Sequence, residues 1–316
     1  MISKADAWQG AERGQSAKVP EEKARHWTVA ELLAWTQGYF DRQGIPSPRL
    51  DAELLLAHAM NCTRVDLYTG YQQVVEESER QHFRAFVERR TAFEPVAYIL
   101  GKREFYSLEL EVGPEVLIPR PETETLIDRV LEEIRADGAA DGAAVVDLGT
   151  GSGCIAIALA NELPTAHVDA VDISPEALEI ARRNAARHGF EDRVRFLAGD
   201  LFEPFQKDEP RPAFDVVVSN PPYVAPVEYG DLMPDVRDHE PALALVDRRD
   251  QDGLGYYRII AREAPEYLRS GGLLAVEVGE SQAVSVQMLL QAAGWREMDV
   301  AADYAGIERV ITARRA

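Results

Sequence analysis

The sequence predicts an α/β protein in which a small helical domain precedes a mostly parallel, doubly wound sheet. Three observations lead to this fold class. From residue 145 onward, short apolar strand-like segments alternate with helix-like segments, which is the pattern of parallel βα units. A glycine-rich turn follows the first of these strands. The length of 316 residues exceeds one typical core, so two domains are expected.

The composition favours a globular protein that avoids membranes and nucleic acids. The formal charge is −20, from 54 acidic against 34 basic residues, and no basic patch reverses it, so nucleic acid would be repelled. The longest unbroken apolar run, residues 154–160, is too short to span a bilayer, and residues 1–25 contain no signal-peptide core. We therefore expect a cytoplasmic location. Cys62 and Cys154 match no metal or redox spacing, and no metal site is expected.

Residues 27–95 are predicted to form the helical domain, behind a disordered tail at residues 1–26. Thr28 and Glu31 form a capping box for the first helix. Ser47-Pro48 supplies an N-cap and a first-position proline for the second helix. Further helices are placed at 64–70 and 76–92. This domain contains no catalytic constellation, so we expect it to bind a partner or to support its neighbour.

Residues 96–120 are predicted to be a connector. Alternating apolar residues from Glu104 to Val112, closed by Gly113-Pro114, indicate a β-hairpin. Arg120 lies between two prolines and is either part of a stiff linker or a clamp for a carboxylate. An amphipathic helix follows, with Pro121 or Glu122 expected in its first turn.

The second domain, residues 121–316, contains the predicted sheet. Strands are placed at 145–147, 168–172, 194–197, 214–219, 273–278, 297–300 and 308–312. The intervening helices are placed at 154–162, 175–189, 252–269 and 281–293. Ligands of such sheets bind at the carboxyl edge of the strands.

The turn DLGTGSG, from Asp147 to Gly153, predicts a nucleotide-like cofactor at that edge. Its glycines allow close backbone approach ahead of a helix N-terminus. Cys154 occupies the place of the last glycine of the dinucleotide fingerprint, and the P-loop lysine is absent. Asp172 ends the next strand at the distance of a ribose-binding acid. Asp200 and Leu201, at the end of the third strand, are expected near an adenine.

The fourth strand ends in Ser219-Asn220-Pro221-Pro222-Tyr223. Each proline lacks an N–H and holds the preceding residue in extended geometry, so Asn220 and Pro221 are fixed stiffly. The motif alone fits a rigid loop as well as it fits a site. The glycine turn and the successive acids at the strand ends favour a site.

With DLGTGSG, AVDISPEAL and SNPPY in this order, the chain resembles the class I S-adenosylmethionine-dependent methyltransferases, with a Rossmann-like fold. LIPRPETE at 117–124, HEPALAL at 239–245, DGLGYYR at 252–258 and DYAGIERV at 303–310 resemble the PrmC (HemK) family more closely. That family methylates, at N5, the glutamine of the Gly-Gly-Gln motif in bacterial class 1 peptide chain release factors. The resemblance implies S-adenosylmethionine as cofactor, and we expect a monomer.

The resemblance also implies roles for individual residues, which we write as expectations. The cofactor contacts fall on Gly149, Thr150, Gly151, Ser152, Gly153, Asp172, Leu201 and Asn220, and we add Asp200 to them from its place at the end of the third strand. The substrate contacts fall on Asn220, Pro221, Pro222 and Tyr223. Among these, Asn220, Pro221 and Tyr223 are expected to be catalytic, and the helical domain is expected to bind the release factor.

Two positions depart from the family pattern. Leu201 stands where some members carry Trp, so aliphatic packing replaces ring stacking on the adenine. Val246 to Arg249 stands where a Gly-Gly pair is common.

The alternatives to a release-factor methyltransferase are a nucleic-acid methyltransferase acting on adenine or guanine amino groups, a ribosomal-protein glutamine methyltransferase, and a binding protein without catalysis. The negative charge argues against the first, PRPETE against the second, and the intact motifs against the third.

Overall fold

The computed structural model describes residues 26–316, so the predicted tail lies outside the described residues except for His26. The chain divides into two compact units at Ala85–Phe86. The helices of the first unit, the last of which continues into the second, are α1 (Val29–Arg42), α2 (Pro48–Ala59), α3 (Arg64–Thr69) and α4 (Glu77–Thr91). The predicted domain boundaries near 95 and 120 stay predictions.

The helix starts in the first unit follow local capping chemistry. Thr28 and Glu31 form the predicted capping box of α1, with each side chain accepting from the backbone N–H of the other residue. Thr63 and Asp66 make a second box at α3, which the sequence analysis missed. Ser47 is the N-cap of α2 and Pro48 is its first residue, as predicted, although the Ser47 side chain makes no capping hydrogen bond.

The second unit contains a short helix α5 (Val96–Leu100) and the predicted hairpin, β1 (Lys102–Phe105) and β2 (Leu108–Glu111). The hairpin starts two residues before the alternating pattern. The next helix, α6 (Thr123–Ala136), begins after Pro121 and Glu122, so placing one of them in its first turn was wrong. A separate turn precedes α6, because Thr123 N donates to Arg120 O at 3.1 Å.

All seven predicted strands are present in one sheet, in the order β5-β4-β3-β6-β7-β9-β8. These strands are β3 (Ala144–Leu148), β4 (His167–Asp172), β5 (Val194–Ala198), β6 (Phe214–Ser219), β7 (Leu268–Glu277), β8 (Arg296–Ala302) and β9 (Glu308–Arg314). The strands from β5 to β7 pair in parallel, and β9 pairs antiparallel with both of its neighbours. The strand order reverses at β3, because β4 and β5 lie on one side of it and β6 and β7 on the other. A crevice therefore forms beside the carboxyl end of β3.

Helices cover both faces of the sheet. The remaining helices are α7 (Cys154–Glu162), α8 (Pro175–His188), α9 (Pro234–Arg237), α10 (Ala242–Leu245), α11 (Gly255–Glu263) and α12 (Ala283–Ala292). Successive strand residues enter different cores, since Val216 and Val218 pack with α6 and α7 while Val217 packs with α11 and α12. This arrangement confirms the predicted doubly wound α/β fold.

The helix predicted over 252–269 is wrong at both ends. α11 spans only Gly255–Glu263, a 3₁₀ turn Ala264–Glu266 follows, and β7 already begins at Leu268. Pro265 explains the early end, because it has no N–H to donate and its ring clashes with the preceding helical turn.

Across the described part of the chain, no helix combines the length and apolar character that crossing a bilayer requires.

Candidate active site

A cavity of about 300 Å³ opens at the carboxyl edge of the sheet within the second unit. It is lined by the ends of β3, β4 and β6, by the segment before α6, and by α10 and the start of α11. Most of the predicted site residues line it: Gly149, Thr150, Gly151, Ser152, Asp172, Asp200, Leu201, Asn220, Pro221 and Pro222. Two predicted residues, Gly153 and Tyr223, are not among the lining residues.

The glycine turn is fixed by hydrogen bonds to the neighbouring strand. Gly149 N and Thr150 N both donate to Val171 O, at 2.8 and 2.9 Å. Gly153 closes the turn with φ +82°, and a Cβ on it would lie 3.1 Å from the Cβ of Ala181 on α8. Gly153 therefore allows α8 to pack against the start of α7, which is a structural reason for this glycine.

Asp172 lies at the end of β4, and its carboxylate links the loop after β3 to the loop after β4. Its Oδ2 accepts from Gly151 N at 2.8 Å and its Oδ1 from Ser174 N at 2.9 Å. Burial raises the pKa of this carboxyl, and the two N–H donors oppose that rise. A carboxylate has about four acceptor positions, so both oxygens still have capacity for the hydroxyls of a ribose.

Asp147, the acid of the glycine turn, lies beneath the turn and does not line the cavity. Its side chain is fully buried, and its Oδ2 accepts from the Thr150 hydroxyl at 2.6 Å. Burial raises its pKa to about 7, with a smaller contribution in the same direction from Asp172. Asp147 thus supports the loop through Thr150.

Asp200 lines the cavity but already has an ionic partner. Its carboxylate pairs with Arg249, whose guanidinium lies 5.4 Å from the centre of the Tyr256 ring. Arg249 belongs to the loop that departs from the family pattern. That loop is ordered around the buried Asp247, which accepts from Arg249 N at 2.7 Å and Gly255 N at 2.6 Å. An adenine amino group would therefore share Asp200 with Arg249.

Asn220 follows β6 at the floor of the cavity. Its Nδ2 donates to the hydroxyl of Thr123, the first residue of α6, at 3.4 Å. The preceding Ser219 is buried, and its hydroxyl donates to Leu148 O at 2.7 Å, which ties β6 to the end of β3. The cavity lining therefore places the Asn220 motif beside the glycine turn, as the sequence predicts.

Tyr223 is partly buried against the core that contains α11 and α12. Its backbone oxygen accepts from Gln282 Nε2 at 3.0 Å. Burial raises the pKa of its hydroxyl to about 12, so the phenol is neutral at ordinary pH. Tyr223 is not among the residues that line the cavity, and its expected roles in substrate binding and catalysis stay predictions.

One wall of the cavity is held by an ion pair. Arg120 Nη2 donates to Glu240 Oε1 at 2.6 Å, and Ile118 N donates to Glu240 Oε2 at 3.1 Å. The clamp that the sequence suggested at Arg120 thus holds a carboxylate of the protein itself. Glu240 is 5% exposed, and the lining residues Pro241, Leu243 and Ala244 follow it directly.

The sequence analysis missed several supporting residues. Asn184 on α8 is fully buried, and its Nδ2 donates to Ser152 O at 2.9 Å and to Glu111 O at 3.0 Å. It links the glycine turn to the hairpin. Glu277, at the end of β7, is 2% exposed and lies behind Asn220. Neither residue belongs to a local motif that would have revealed it.

The site suits an organic cofactor rather than a metal. In residues 26–316, no group of three or more His, Cys, Asp or Glu side chains is arranged to hold a metal ion. The glycine turn, Asp172 and Leu201, which is 9% exposed, together provide close backbone approach, hydroxyl acceptors and an apolar contact. These features fit the nucleoside part of S-adenosylmethionine, the cofactor that the family resemblance implies.

Family models match both parts of the chain. The model described as "PrmC N-terminal domain" matches residues 31–101, and the model described as "Methyltransferase domain" matches residues 139–294. Together they cover most of the helical unit and the strands β3 to β7 of the sheet.

Curated relatives match nearly the whole length. The chain is 43% identical over 293 residues to "Release factor glutamine methyltransferase" of Geobacter sulfurreducens, covering 93% of this chain and 99% of that protein. It is 42% identical to the protein of the same name from Rhodopirellula baltica, covering 92% of this chain and 97% of the relative.

Solved structures share the fold at low sequence identity. The N-terminal domain of human METTL16 in complex with SAH aligns with a TM-score of 0.51 and 17% identity, over 72% of this chain and 84% of that one. The catalytic domain of the same human protein, in complex with an RNA hairpin, gives 0.53 and 16%, over 70% and 80%. These similarities concern the methyltransferase fold alone.

Proposed function

This chain belongs to the family of release factor glutamine methyltransferases, and from that premise we propose that it transfers a methyl group from S-adenosylmethionine to a glutamine side-chain nitrogen of bacterial class 1 release factors. The acceptor is the glutamine of the Gly-Gly-Gln motif. The observation that supports this proposal is that one cavity is lined both by the glycine turn with Asp172 and by Asn220 to Pro222. A methyl donor and an amide acceptor can meet there.

The cofactor would supply an electrophilic methyl group on a sulfonium that departs as a neutral thioether, and the attacking nitrogen would give up one N–H proton to solvent. We propose that Gly149 to Ser152 approach it with their backbone and that Asp172 accepts from its ribose hydroxyls. Leu201 packs on the adenine, and Asp200 accepts from the adenine amino group alongside Arg249. Gly153 contributes by fixing the start of α7.

The chain must then activate a weak nucleophile. An amide nitrogen attacks poorly because its lone pair is delocalised into the carbonyl. Two acceptors facing its N–H bonds, the Asn220 side-chain oxygen and the Pro221 backbone oxygen, would return electron density to the nitrogen and direct its lone pair at the methyl group. Stiff placement by Pro221 and Pro222 serves this purpose, since positioning supplies most of the acceleration when no strong base is needed.

We propose that the helical domain of residues 27–95 binds the body of the release factor. Four large apolar side chains of this domain are 40 to 69% exposed: Leu50, Val65, Tyr68 and Val74. A contiguous patch of such groups, unlike single exposed side chains, is typical of a surface that meets another protein. A whole release factor should therefore be a better substrate than an isolated Gly-Gly-Gln peptide.

The test is mass spectrometry of a release factor after incubation with this protein and S-adenosylmethionine. The proposal expects the mass of one methyl group on the glutamine of the Gly-Gly-Gln peptide. Parallel reactions with labelled cofactor should offer tRNA, DNA and ribosomal protein. Methyl transfer to one of these, with none to the release factor, would replace the proposed acceptor.

A further inference from the structure

Glu277 is a buried carboxylate directly behind the catalytic motif. In the parallel pairing of β6 and β7, Ser219 is the partner of Val276, so Asn220 and Glu277 leave the sheet side by side. Glu277 is 2% exposed, and its Oε2 has no hydrogen-bond partner among the described residues. The mechanism above assigns this residue no role.

Such a carboxylate is costly in a core, because a buried charged group without full pairing destabilises the folded state. Burial raises the pKa of Glu277 to about 7, while the Thr123 hydroxyl, Arg309 and the Asn220 amide each lower it by hydrogen bonding or charge. The titratable and charged groups that face it are Glu122, Arg309, Cys154, Tyr223 and Tyr257. A packed apolar residue would fill the same place at lower cost, which suggests a functional reason for the acid.

The neighbours of Asn220 show what that reason is. A carboxamide has a donor end with two N–H bonds and an acceptor end with one oxygen. The donor end of Asn220 points to the Thr123 hydroxyl, since Asn220 Nδ2 lies 3.4 Å from Thr123 Oγ1. An ionised carboxylate can only accept, so Glu277 also favours the donor end and opposes a flip of the amide. A flipped Asn220 would present N–H groups to the N–H groups of a substrate amide.

We propose that Glu277 is a positioning residue which, together with the Thr123 hydroxyl, holds the donor end of the Asn220 amide so that the acceptor end faces the substrate nitrogen. This inference rests on the proposed function, in which the Asn220 oxygen accepts from the glutamine amide. Glu277 does not line the cavity, so it acts through Asn220 and leaves the cofactor contacts untouched. Protonated Glu277 can donate, and it then stabilises the unproductive orientation.

The test compares Glu277→Gln with Glu280→Gln, an identical chemical change at an exposed position three residues further along the chain. Calorimetry gives the dissociation constant of S-adenosylmethionine, and steady-state assays with a release factor give kcat and KM between about pH 5.5 and 9. We expect Glu277→Gln to lower kcat about 100-fold, with cofactor affinity within about threefold of wild type. Glu280→Gln should match wild type throughout.

The pH profile distinguishes positioning from a general structural defect. In the wild type and in Glu280→Gln, kcat should fall about tenfold for each pH unit below about 7, whereas in Glu277→Gln this limb should be absent. Unchanged kcat and an unchanged profile in Glu277→Gln, with an active wild type, would overturn the positioning role alone. A wild type that methylates no release factor would overturn the proposed function and this inference with it.

Discussion

Arg120 and Glu240, which are 120 residues apart in the chain, form a hydrogen-bonded ion pair of 2.6 Å at the wall of the cavity. This pair connects two of the segments on which the family resemblance rests, LIPRPETE and HEPALAL. The carboxylate of Glu240 is buried and also accepts from Ile118 N. Two distant sequence motifs are thus one structural unit, which lies directly before the cavity-lining residues of segment 241–244.

Removing the positive partner should destabilise the protein. Arg120→Ala leaves the Glu240 charge buried without compensation, and we expect a loss of about 3 kcal/mol in the free energy of unfolding. Urea denaturation measures it. The double variant Arg120→Ala/Glu240→Gln should recover part of the loss, since the unpaired charge is gone. Arg211→Ala, which removes an exposed pair with Glu266, is the control and should cost at most about 1 kcal/mol.

Asn220→Ala should abolish methyl transfer while leaving the binding of S-adenosylmethionine within about tenfold, or 1.4 kcal/mol. The amide is proposed to act on the acceptor, and the cofactor retains its contacts with the glycine turn and Asp172. Single-turnover assays and calorimetry measure the two effects separately. Asn161→Ala, on the exposed side of α7, is the matched control. Turnover near that of the wild type in Asn220→Ala would exclude this side chain from the mechanism.

Asp172→Ala should weaken cofactor binding first. The variant loses the proposed charge-assisted hydrogen bonds to the ribose, each worth about 1.5–3 kcal/mol, so the dissociation constant should rise at least about tenfold. Asp169→Ala provides the control, because Asp169 is on the same strand but pairs with Arg195 and does not line the cavity. An equal dissociation constant in Asp172→Ala and wild type would show that the ribose is bound elsewhere.

The sequence was sufficient for features that depend on neighbouring residues in the chain. Apolar runs of the length of a strand predicted all seven strands, and glycines or prolines at their ends predicted which loops line the cavity. Pro265 shows the limit of this approach, because the apolar pattern continues through it while the helix does not. Breaker residues deserved more weight there than periodicity.

Partners from distant segments could not be predicted. Glu277 ends an apolar strand, and a glutamate at a strand end is expected to face solvent. It is buried in the fold, where Thr123 and Asn220 from other elements lie beside it. The partners of Asn184 are also distant in the chain, since its side chain joins the glycine turn to a hairpin 73 residues earlier. Such contacts follow from the packing of helices on the sheet, which a single sequence does not specify.

Gly253→Ala should damage both stability and catalysis. Gly253 has φ +74°, and a Cβ there would lie 2.4 Å from Tyr223 O, the oxygen that Gln282 holds. The added methyl group must displace the backbone after the two prolines, so kcat should fall together with stability. Gly271→Ala is the control: its φ is +72°, but nothing lies within 4 Å of the added Cβ. That variant should lose only about 1–2 kcal/mol, with full activity.

Glu277→Gln should make the protein more stable at alkaline pH and less active. The folded pKa of Glu277 is about 7, against an ordinary value of 4.5. Folding therefore favours the protonated form, and the stability linked to this group is fully present below pH 4.5 and is lost as the pH rises through 7. At about 1.4 kcal/mol per pKa unit, the rise from 4.5 to about 7 makes the loss above pH 7 at most about 3.5 kcal/mol.

The variant has no charge to bury and should escape this loss. Its free energy of unfolding should exceed that of wild type by up to about 3.5 kcal/mol at pH 8 and should match it near pH 4.5. Asp147, whose pKa is raised in the same direction, is present in both proteins and cancels in the difference. Urea denaturation of wild type, Glu277→Gln and Glu280→Gln at several pH values provides the comparison. A constant difference across this range would mean that Glu277 is not the group that titrates, because only an ionising side chain makes the gain depend on pH.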